Sequence, residues 1–167
     1  MTRVLVTAAT KYGATGEIAQ VIGEVLRDHG LDPTVVPPDQ VDGTDGYDAV
    51  VLGSAVYAGH WLKPARELVG RLGGELAERP VWLFSSGPVG DPPKPEEDPV
   101  DVAEFLAAIG AREHQVFAGK LVRKQLSFPE RAIVAALRVP QGDFRDWTEI
   151  RKWAAGIADA MRSRLLT

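Results

Sequence analysis

The chain has 167 residues, 45% hydrophobic and 25% charged, which suits one globular domain with a sizeable core. Cysteine is absent, which excludes disulfides, cysteine nucleophiles and thiolate metal sites within this sequence. The formal net charge of −4 argues against nucleic acid as the main partner, and no apolar run approaches the roughly 20 residues of a membrane-spanning helix. The sequence enters a strand-like run at Arg3 without a signal-peptide pattern, so we expect a cytoplasmic protein.

The first half of the sequence alternates short apolar runs with a helical pattern. Arg3–Thr7 and Thr34–Val36 are β-branched runs, and Asp48–Gly53 is apolar without alternation, as in a strand that is covered on both faces. Between the first two runs, apolar residues recur at three- and four-residue intervals over Ile18–Leu26, and His29-Gly30 ends that helix. This half therefore predicts three strands with a helix after the first.

The second half continues the same alternation. The patterns predict, in chain order, a helix over Leu62–Leu72, a strand over Val81–Phe84, a helix over Val102–Ile109, a strand around Val116–Ala118 and a final helix over Trp147–Met161. Five strands alternating with helices predict an α/β fold, a three-layer sandwich with a parallel sheet and helices on both faces. With no repeat or linker in the sequence, we expect residues 1–167 to form a single domain.

For a five-stranded chain of this size we predict the strand order 2-1-3-4-5. In that order the winding reverses between the first and third strands, so a ligand should bind beyond their carboxyl ends. The segments that this places at the site are 7–15, 53–61 and 85–91.

The first of these segments has the chemistry of a phosphate site. Thr10 and Thr15 offer hydroxyl groups, Gly13 lets the backbone approach a ligand closely, and the following helix presents free amides and a positive dipole end. Lys11 adds a point charge. From spacing alone, an ordinary strand-to-helix turn is equally open. The dinucleotide fingerprint, the triphosphate-binding P-loop and the hydrolase nucleophile elbow are all missing from the sequence.

The other two segments could receive a flat ligand. Small residues precede Tyr57, His60 and Trp61, whose rings could stack on a heterocycle or merely cover the edge of the sheet. The segment Ser85–Asp91 offers amides and hydroxyl groups, which alone is a weak signal.

Several sequence segments resemble those of a known protein family. Ala9-Thr10-Lys11-Tyr12-Gly13-Ala14-Thr15-Gly16 and the helix after it resemble the flavodoxin phosphate loop. The segments 54–60, 116–121 and 142–147 resemble the branch of flavodoxin-like proteins that includes menaquinone-dependent protoporphyrinogen dehydrogenase. The segment Gly87–Pro93 departs from both patterns, which puts porphyrinogen as the substrate in doubt.

The resemblance implies a flavodoxin-like fold and non-covalently bound FMN. The phosphate would be held by Thr10, Lys11, Tyr12, Gly13, Ala14 and Thr15, and the isoalloxazine would be flanked by Ser54, Ala55, Val56, Tyr57, Ser86, Gly87 and Pro88. Because the flavin carries the electrons, we expect no catalytic acid, base or nucleophile from the protein and no metal.

Residues 120–140 form an insert that a minimal flavodoxin does not need. Five basic residues oppose the single acidic residue Glu130, and an apolar helical face can be drawn through Phe128, Ala132, Ile133, Ala136 and Leu137. Such a segment can lie on an anionic membrane or bind an acidic partner. The alternative is an ordinary packed helix with a solvated basic face.

Together these features predict an FMN-binding oxidoreductase that transfers electrons to or from a quinone or porphyrinogen-like substrate, or to a redox partner protein. We expect no nucleic-acid partner, and peripheral contact with the inner face of a membrane through residues 120–140. Two alternatives stay open: a flavodoxin-type electron carrier without its own substrate, and a non-enzymatic binding module that has lost FMN.

Overall fold

A central parallel sheet organises the computed structural model, which describes residues 2–57, 60–87, 100–121, 127–136 and 142–166. In chain order, the strands are β1 (Arg3–Ala9), β2 (Asp32–Val35), β3 (Ala49–Tyr57), β4 (His60–Trp61), β5 (Val81–Ser86), β6 (Glu113–Phe117), β7 (Lys120–Leu121) and β8 (Gly142–Asp143). The helices are α1 (Ala14–Asp28), α2 (Lys63–Ala77), α3 (Val100–Ile109), α4 (Phe128–Ala136) and α5 (Trp147–Leu166).

The order of the parallel strands is β2-β1-β3-β5-β6, and each pairs in parallel with its neighbour. Counting the parallel strands alone, this is the predicted order 2-1-3-4-5, so the α/β flavodoxin-like fold class is confirmed. The strand β4 pairs antiparallel with β3, and β7 pairs with β8 in a separate two-stranded sheet. The reversal between β1 and β3 places the carboxyl ends of these two strands at the predicted ligand edge.

Helices cover both faces of the sheet because successive side chains of a strand point to opposite faces. On one face, Val4 and Val6 of β1 pack with the apolar stripes of α1 and α5, including Ile22 and Ile157. On the other face, Leu5 packs with the stripes of α2 and α3. None of the described helices is long and apolar enough to cross a membrane.

A glycine in β3 lets an aromatic ring of the neighbouring strand lie against the sheet. A Cβ atom built at Gly53 would lie 2.3 Å from the ring of Phe84 on the neighbouring strand. Phe84 is fully buried and packs with Phe117 and Trp153 at centroid distances of 6.1 and 6.0 Å. The absence of a side chain at position 53 therefore makes room for an aromatic cluster on the sheet.

Two stretches differ from the sequence-based expectation. The strand expected to end at Gly53 continues to Tyr57. Its last residues are extended because they pair with β4, with Val56 opposite Trp61 in antiparallel register. The helix expected in the insert is present as α4, but Phe128 on its predicted apolar face is 84% exposed. Leu137 of that face lies outside the described residues, as does the segment 91–98, which carries four acidic residues and one lysine.

Candidate functional site

The segment between β1 and α1 forms a turn that exposes a helix N-terminus. Gly13 precedes the helix with φ of 92°, a left-handed conformation that favours glycine. Its amide donates to the Thr10 Oγ1 atom at 2.9 Å, and its carbonyl oxygen accepts the first helical hydrogen bond, from the amide of Glu17 at 3.0 Å. The N-cap residue is this glycine, so within the described part of the chain the helix has no side-chain cap from its N-cap position. The amides of its first turn are therefore available to an anion at the carboxyl edge of the sheet.

Two threonines flank this turn. Thr10 is exposed, and because its Oγ1 atom accepts the Gly13 amide, its hydroxyl hydrogen can be donated to a ligand. Thr15 is buried in the first turn of α1. Ala14 and Gly16 put only small groups beside the amides. The predicted residues Thr10–Thr15 are thus brought together around one helix end, in an arrangement that suits a phosphate.

The side chains of Lys11 and Tyr12 bind a carboxylate from the insert. Glu130 on α4 accepts hydrogen bonds at Oε1 from the Lys11 Nζ atom at 2.9 Å and from the Tyr12 hydroxyl at 2.7 Å. The same oxygen accepts the Ser127 hydroxyl at 2.8 Å and the Ser127 amide at 3.3 Å. This contact joins α4 to the segment between β1 and α1.

These hydrogen bonds shift the ionisation of all three groups. Burial opposes the charge on Glu130, but the hydrogen bonds from Lys11, Tyr12 and Ser127 outweigh burial and lower its pKa to about 2. The hydrogen bond to Glu130 raises the pKa of Lys11. Burial, together with the hydrogen bond to the ionised carboxylate, raises the pKa of Tyr12. At neutral pH the pair of Lys11 and Glu130 is therefore a fully charged ion pair.

A second contact to the same turn comes from the segment after β8. The Arg145 guanidinium, 3% exposed, donates to both carboxylate oxygens of Asp143, at 2.8 and 2.7 Å. Its Nη1 atom also reaches the carbonyl oxygen of Ala14 at 3.1 Å and the Glu17 carboxylate at 3.2 Å. The hydrogen bonds from Arg145 lower the pKa of Asp143 and keep the arginine charged. The guanidinium also stacks on Trp147, 4.6 Å from the ring centroid.

The residues predicted to flank a flat ligand lie largely within β3. Ser54 is fully buried, and its hydroxyl donates to the Ala55 carbonyl at 2.7 Å and accepts the Leu62 amide at 2.9 Å. Ala55 and Val56 are half-buried at the carboxyl end of the strand. The backbone of Tyr57 pairs with His60. The hydroxyl of Ser54 is thus committed to the protein, and Ala55 and Val56 supply the contact surface at this position.

Trp61 belongs to the core and not to a stacking surface. The ring is buried against Phe105, and its Nε1 atom donates to the Ser85 hydroxyl at 2.8 Å. That hydroxyl also pairs with the His114 Nε2 atom at 2.7 Å. His114 is half-buried in this contact. Of the two roles open to Trp61, covering the sheet is the one observed.

The third predicted segment lies next to these strand ends. Ser86 and Gly87 are buried, and the Gly87 amide donates to the Phe117 carbonyl at 2.9 Å with a left-handed φ of 86°. Pro88 lies outside the described residues. The backbone of β5 and the turn after it is therefore held beside Ala55 of β3, with which Ser86 pairs.

Sequence reasoning missed two residues of this site, Glu130 and Arg145. They lie 119 and 131 residues along the chain from their partners Lys11 and Ala14, so no local pattern reports the contacts. The one available signal was Glu130 as the single acidic residue of a basic insert. Among the described residues, no group of three or more histidine, aspartate or glutamate side chains is placed to hold a metal ion.

A surface groove also opens elsewhere on the sheet. Its volume is about 390 Å³, and its lining includes Trp82, Glu113, Gln115, Glu149 and Trp153. It shares no residue with the segments at the carboxyl edge. Two pairs of its side chains are hydrogen-bonded to each other, Gln115 with Glu149 at 3.1 Å and Glu113 with Trp153.

Comparisons with known proteins identify the family. A model of the flavodoxin domain matches residues 5–148. No curated protein sequence matches the chain. Among solved structures, a flavodoxin from the domain Archaea is similar at 17% identity and a TM-score of 0.64, over 96% of this chain and 99% of that one. The flavodoxin of Streptococcus pneumoniae TIGR4 is also similar, at 17% identity and a TM-score of 0.61, over 98% of this chain and 99% of that one.

A larger protein shares the same fold in part. Rubredoxin:oxygen oxidoreductase from Desulfovibrio gigas is similar at 17% identity and a TM-score of 0.68, over 100% of this chain. The similar region is 38% of that chain, so the present protein corresponds to a minor part of it. At these identities the likeness concerns the fold.

Proposed function

Because this chain belongs to the flavodoxin-domain family, we propose that it is an FMN-dependent oxidoreductase that exchanges electrons with a quinone or a porphyrinogen-like molecule. Membership of the family supports FMN as the cofactor and electron transfer as the role. The choice of a quinone or porphyrinogen-like substrate rests on the sequence resemblance of segments 54–60, 116–121 and 142–147.

The turn at Gly13 is the main structural support for the proposed FMN site. A helix N-terminus with glycine as its N-cap residue lies with two threonines and a lysine at the edge where the winding of the sheet reverses. Backbone amides, hydroxyl groups and an ammonium are the donors that a phosphate accepts from. The donor set of Thr10–Thr15 therefore fits the phosphate of FMN.

The remaining residues would hold the ring system and control its surroundings. Bound FMN supplies the redox chemistry in this proposal. Ala55 and Val56, half-buried at the end of β3, offer small apolar contacts, and the buried backbone at Ser86 and Gly87 offers polar ones. Because these residues are half-buried or buried, they would exclude water from the part of the ring that contacts them, and such exclusion influences the redox potential. The protein needs no side-chain base for this role.

The partner surface that we propose is the insert at 120–140. Phe128 is 84% exposed at the start of α4, and Arg131 one turn later is exposed too. An apolar ring beside basic side chains is the composition of segments that lie on an anionic membrane, where a quinone would be met. Co-sedimentation with vesicles containing anionic lipid should therefore fall when Arg123, Lys124 and Arg131 are changed to Glu. No binding by the unaltered protein would contradict this contact.

The FMN site is tested by removing the hydroxyl groups. In T10A/T15A the affinity for FMN should drop by about ten-fold or more, since two donors to the phosphate are lost. The matched control is T148A, an exposed threonine on α5, which should leave the affinity unchanged. Equal FMN affinity in T10A/T15A and the unaltered protein would show that the phosphate is not held here.

The substrate is tested separately with the FMN-loaded protein. Reduction of a soluble quinone over many turnovers, with a chemical reductant as the donor, supports the oxidoreductase. Electron exchange with a redox protein but not with a quinone or a porphyrinogen would identify an electron carrier instead. A protein that takes up no FMN would belong to neither class and would be a binding module.

A further inference from the structure

One carboxylate oxygen of the insert gathers four hydrogen bonds at the proposed phosphate site. The Oε1 atom of Glu130 accepts from Lys11, from Tyr12 and twice from Ser127, at 2.7 to 3.3 Å. The other oxygen, Oε2, is buried and has no hydrogen-bond partner among the residues that the structure describes. The carboxylate is thus held on one side and left unsatisfied on the other.

This contact changes the charge that a phosphate would meet. Lys11 is the only charged residue in the sequence segment Thr10–Thr15. Its ammonium lies 2.9 Å from the Glu130 carboxylate, so the two charges largely cancel at longer range. The remaining attraction for an anion comes from the amides and hydroxyl groups of the turn. A bound phosphate would also lie near a carboxylate, which disfavours it.

We propose that Glu130 sets the strength with which this protein holds the phosphate group of its flavin, by neutralising Lys11 and opposing the negative charge of the phosphate. The inference rests on the proposed function, in which residues 10–15 hold the phosphate of FMN. Glu130 is therefore a residue that determines discrimination between phosphorylated and unphosphorylated flavin. Because coupling is reciprocal, phosphate binding should in turn weaken the contact between α4 and the turn.

A purely structural role for Glu130 makes a different prediction. If the carboxylate only braced the turn that holds the phosphate, its loss would weaken the binding of FMN relative to riboflavin, whereas loss of its negative charge should strengthen it. A charge effect acts on the phosphate alone. It also weakens as salt screens the charges, and the Lys11 side chain is 43% exposed, so salt reaches this pair.

The test is the ratio of the riboflavin and FMN dissociation constants, measured by fluorescence titration. We expect E130Q to raise this ratio by about five-fold at low salt, as the glutamine keeps hydrogen-bonding atoms but removes the charge. At about 1 M NaCl the ratio for E130Q should approach that of the unaltered protein, because salt screens the charges. The matched control is E67Q, an exposed glutamate paired with Lys63 on α2, which should leave the ratio unchanged.

A second variant separates charge from packing if E130Q alone folds poorly. In K11Q/E130Q both charges of the pair are removed, so the ratio should return to within about two-fold of that of the unaltered protein. An unchanged ratio in E130Q, in a protein that prefers FMN to riboflavin, would overturn this inference and leave the proposed function standing. An unaltered protein that binds neither flavin, or that binds both equally and still does so as E130Q, would instead contradict the phosphate site itself.

Discussion

The Arg145 guanidinium donates a hydrogen bond to the carbonyl oxygen of Ala14, 3.1 Å away and 131 residues earlier in the chain. Ala14 is the first residue of α1, so this buried cation fixes the helix end that we assign to the flavin phosphate. Asp143 orients the guanidinium through two hydrogen bonds. The turn after β1 is thus held by Arg145 from one segment and by Glu130 from another.

Removing Arg145 should cost both stability and FMN binding. In R145A, Asp143 and Glu17 lose their partner and the Ala14 carbonyl loses a donor. We expect the free energy of unfolding to fall by about 2 kcal/mol, below the value for a fully buried pair because both carboxylates are partly exposed. Urea unfolding measures this change.

The matched control for R145A is R162A, which removes an exposed arginine paired with Asp159 on α5. Its unfolding free energy should change by less than about 0.5 kcal/mol. Similar small losses in both variants would mean that Arg145 does not stabilise the turn.

Alanine at position 13 should strain the turn without a steric clash. Gly13 has φ of 92°, and a Cβ atom there would meet no atom within 4 Å, so the cost comes from the backbone conformation alone. We expect G13A to lose about 1 kcal/mol of stability and to bind FMN more weakly. Urea unfolding and flavin titration check the two effects.

Its control is G70A, in the interior of α2, where a Cβ atom is equally unhindered. Since alanine favours the helix, G70A should gain up to about 1 kcal/mol and bind FMN as before. A stability gain in G13A as well would show that the turn tolerates an ordinary residue.

A methyl group at position 53 should disturb the aromatic cluster. The added Cβ atom of G53A would lie 2.3 Å from the Phe84 ring, so the ring or the strand must move. Such overpacking should lower the unfolding free energy by about 1–3 kcal/mol, measured by thermal unfolding. G74A on α2, with no atom near its Cβ position, serves as the control. A melting temperature of G53A equal to or above that of the unaltered protein would contradict this packing.

How far the sequence predicted the fold depends on the range of each interaction. The parallel strands and helices α1, α2, α3 and α5 were predicted because each carries its own apolar pattern, as in Ile18–Leu26. The pairing of β4 with β3 was not predicted, since two residues, His60 and Trp61, are too few to show a period. Trp61 could be a stacking ring or a core residue by composition, and only its burial against Phe105 decides between the two.

The same reasoning applies to the candidate site. The turn at Thr10–Thr15 was predictable because hydroxyl groups, a glycine and a helix start are adjacent in sequence. The contacts of Glu130 and Arg145 join segments more than a hundred residues apart, and charge balance within the insert did not indicate their partners. The long-range contacts of Glu130 and Arg145 could therefore be identified only from the folded structure.

Acid should weaken the contact of Glu130 in a defined pH window. Its pKa is lowered from an ordinary value of 4.5 to about 2 in the folded protein, so the unfolded chain binds more protons between these values. The stabilisation is then complete above pH 4.5 and is lost as pH falls towards 2. We expect E130Q to be less stable than the unaltered protein by on the order of 1 kcal/mol at pH 7, with a smaller deficit at pH 3. Urea unfolding at the two pH values tests this, and a deficit independent of pH would contradict it.

The most direct test of the account is a visible absorption spectrum of the purified protein, recorded before and after FMN is added and the excess removed. We predict that the protein retains the flavin absorption bands in proportion to its concentration, and that T10A/T15A loses them under the same treatment. A protein that retains no flavin after reconstitution would contradict the assignment of residues 10–15 to the phosphate of FMN.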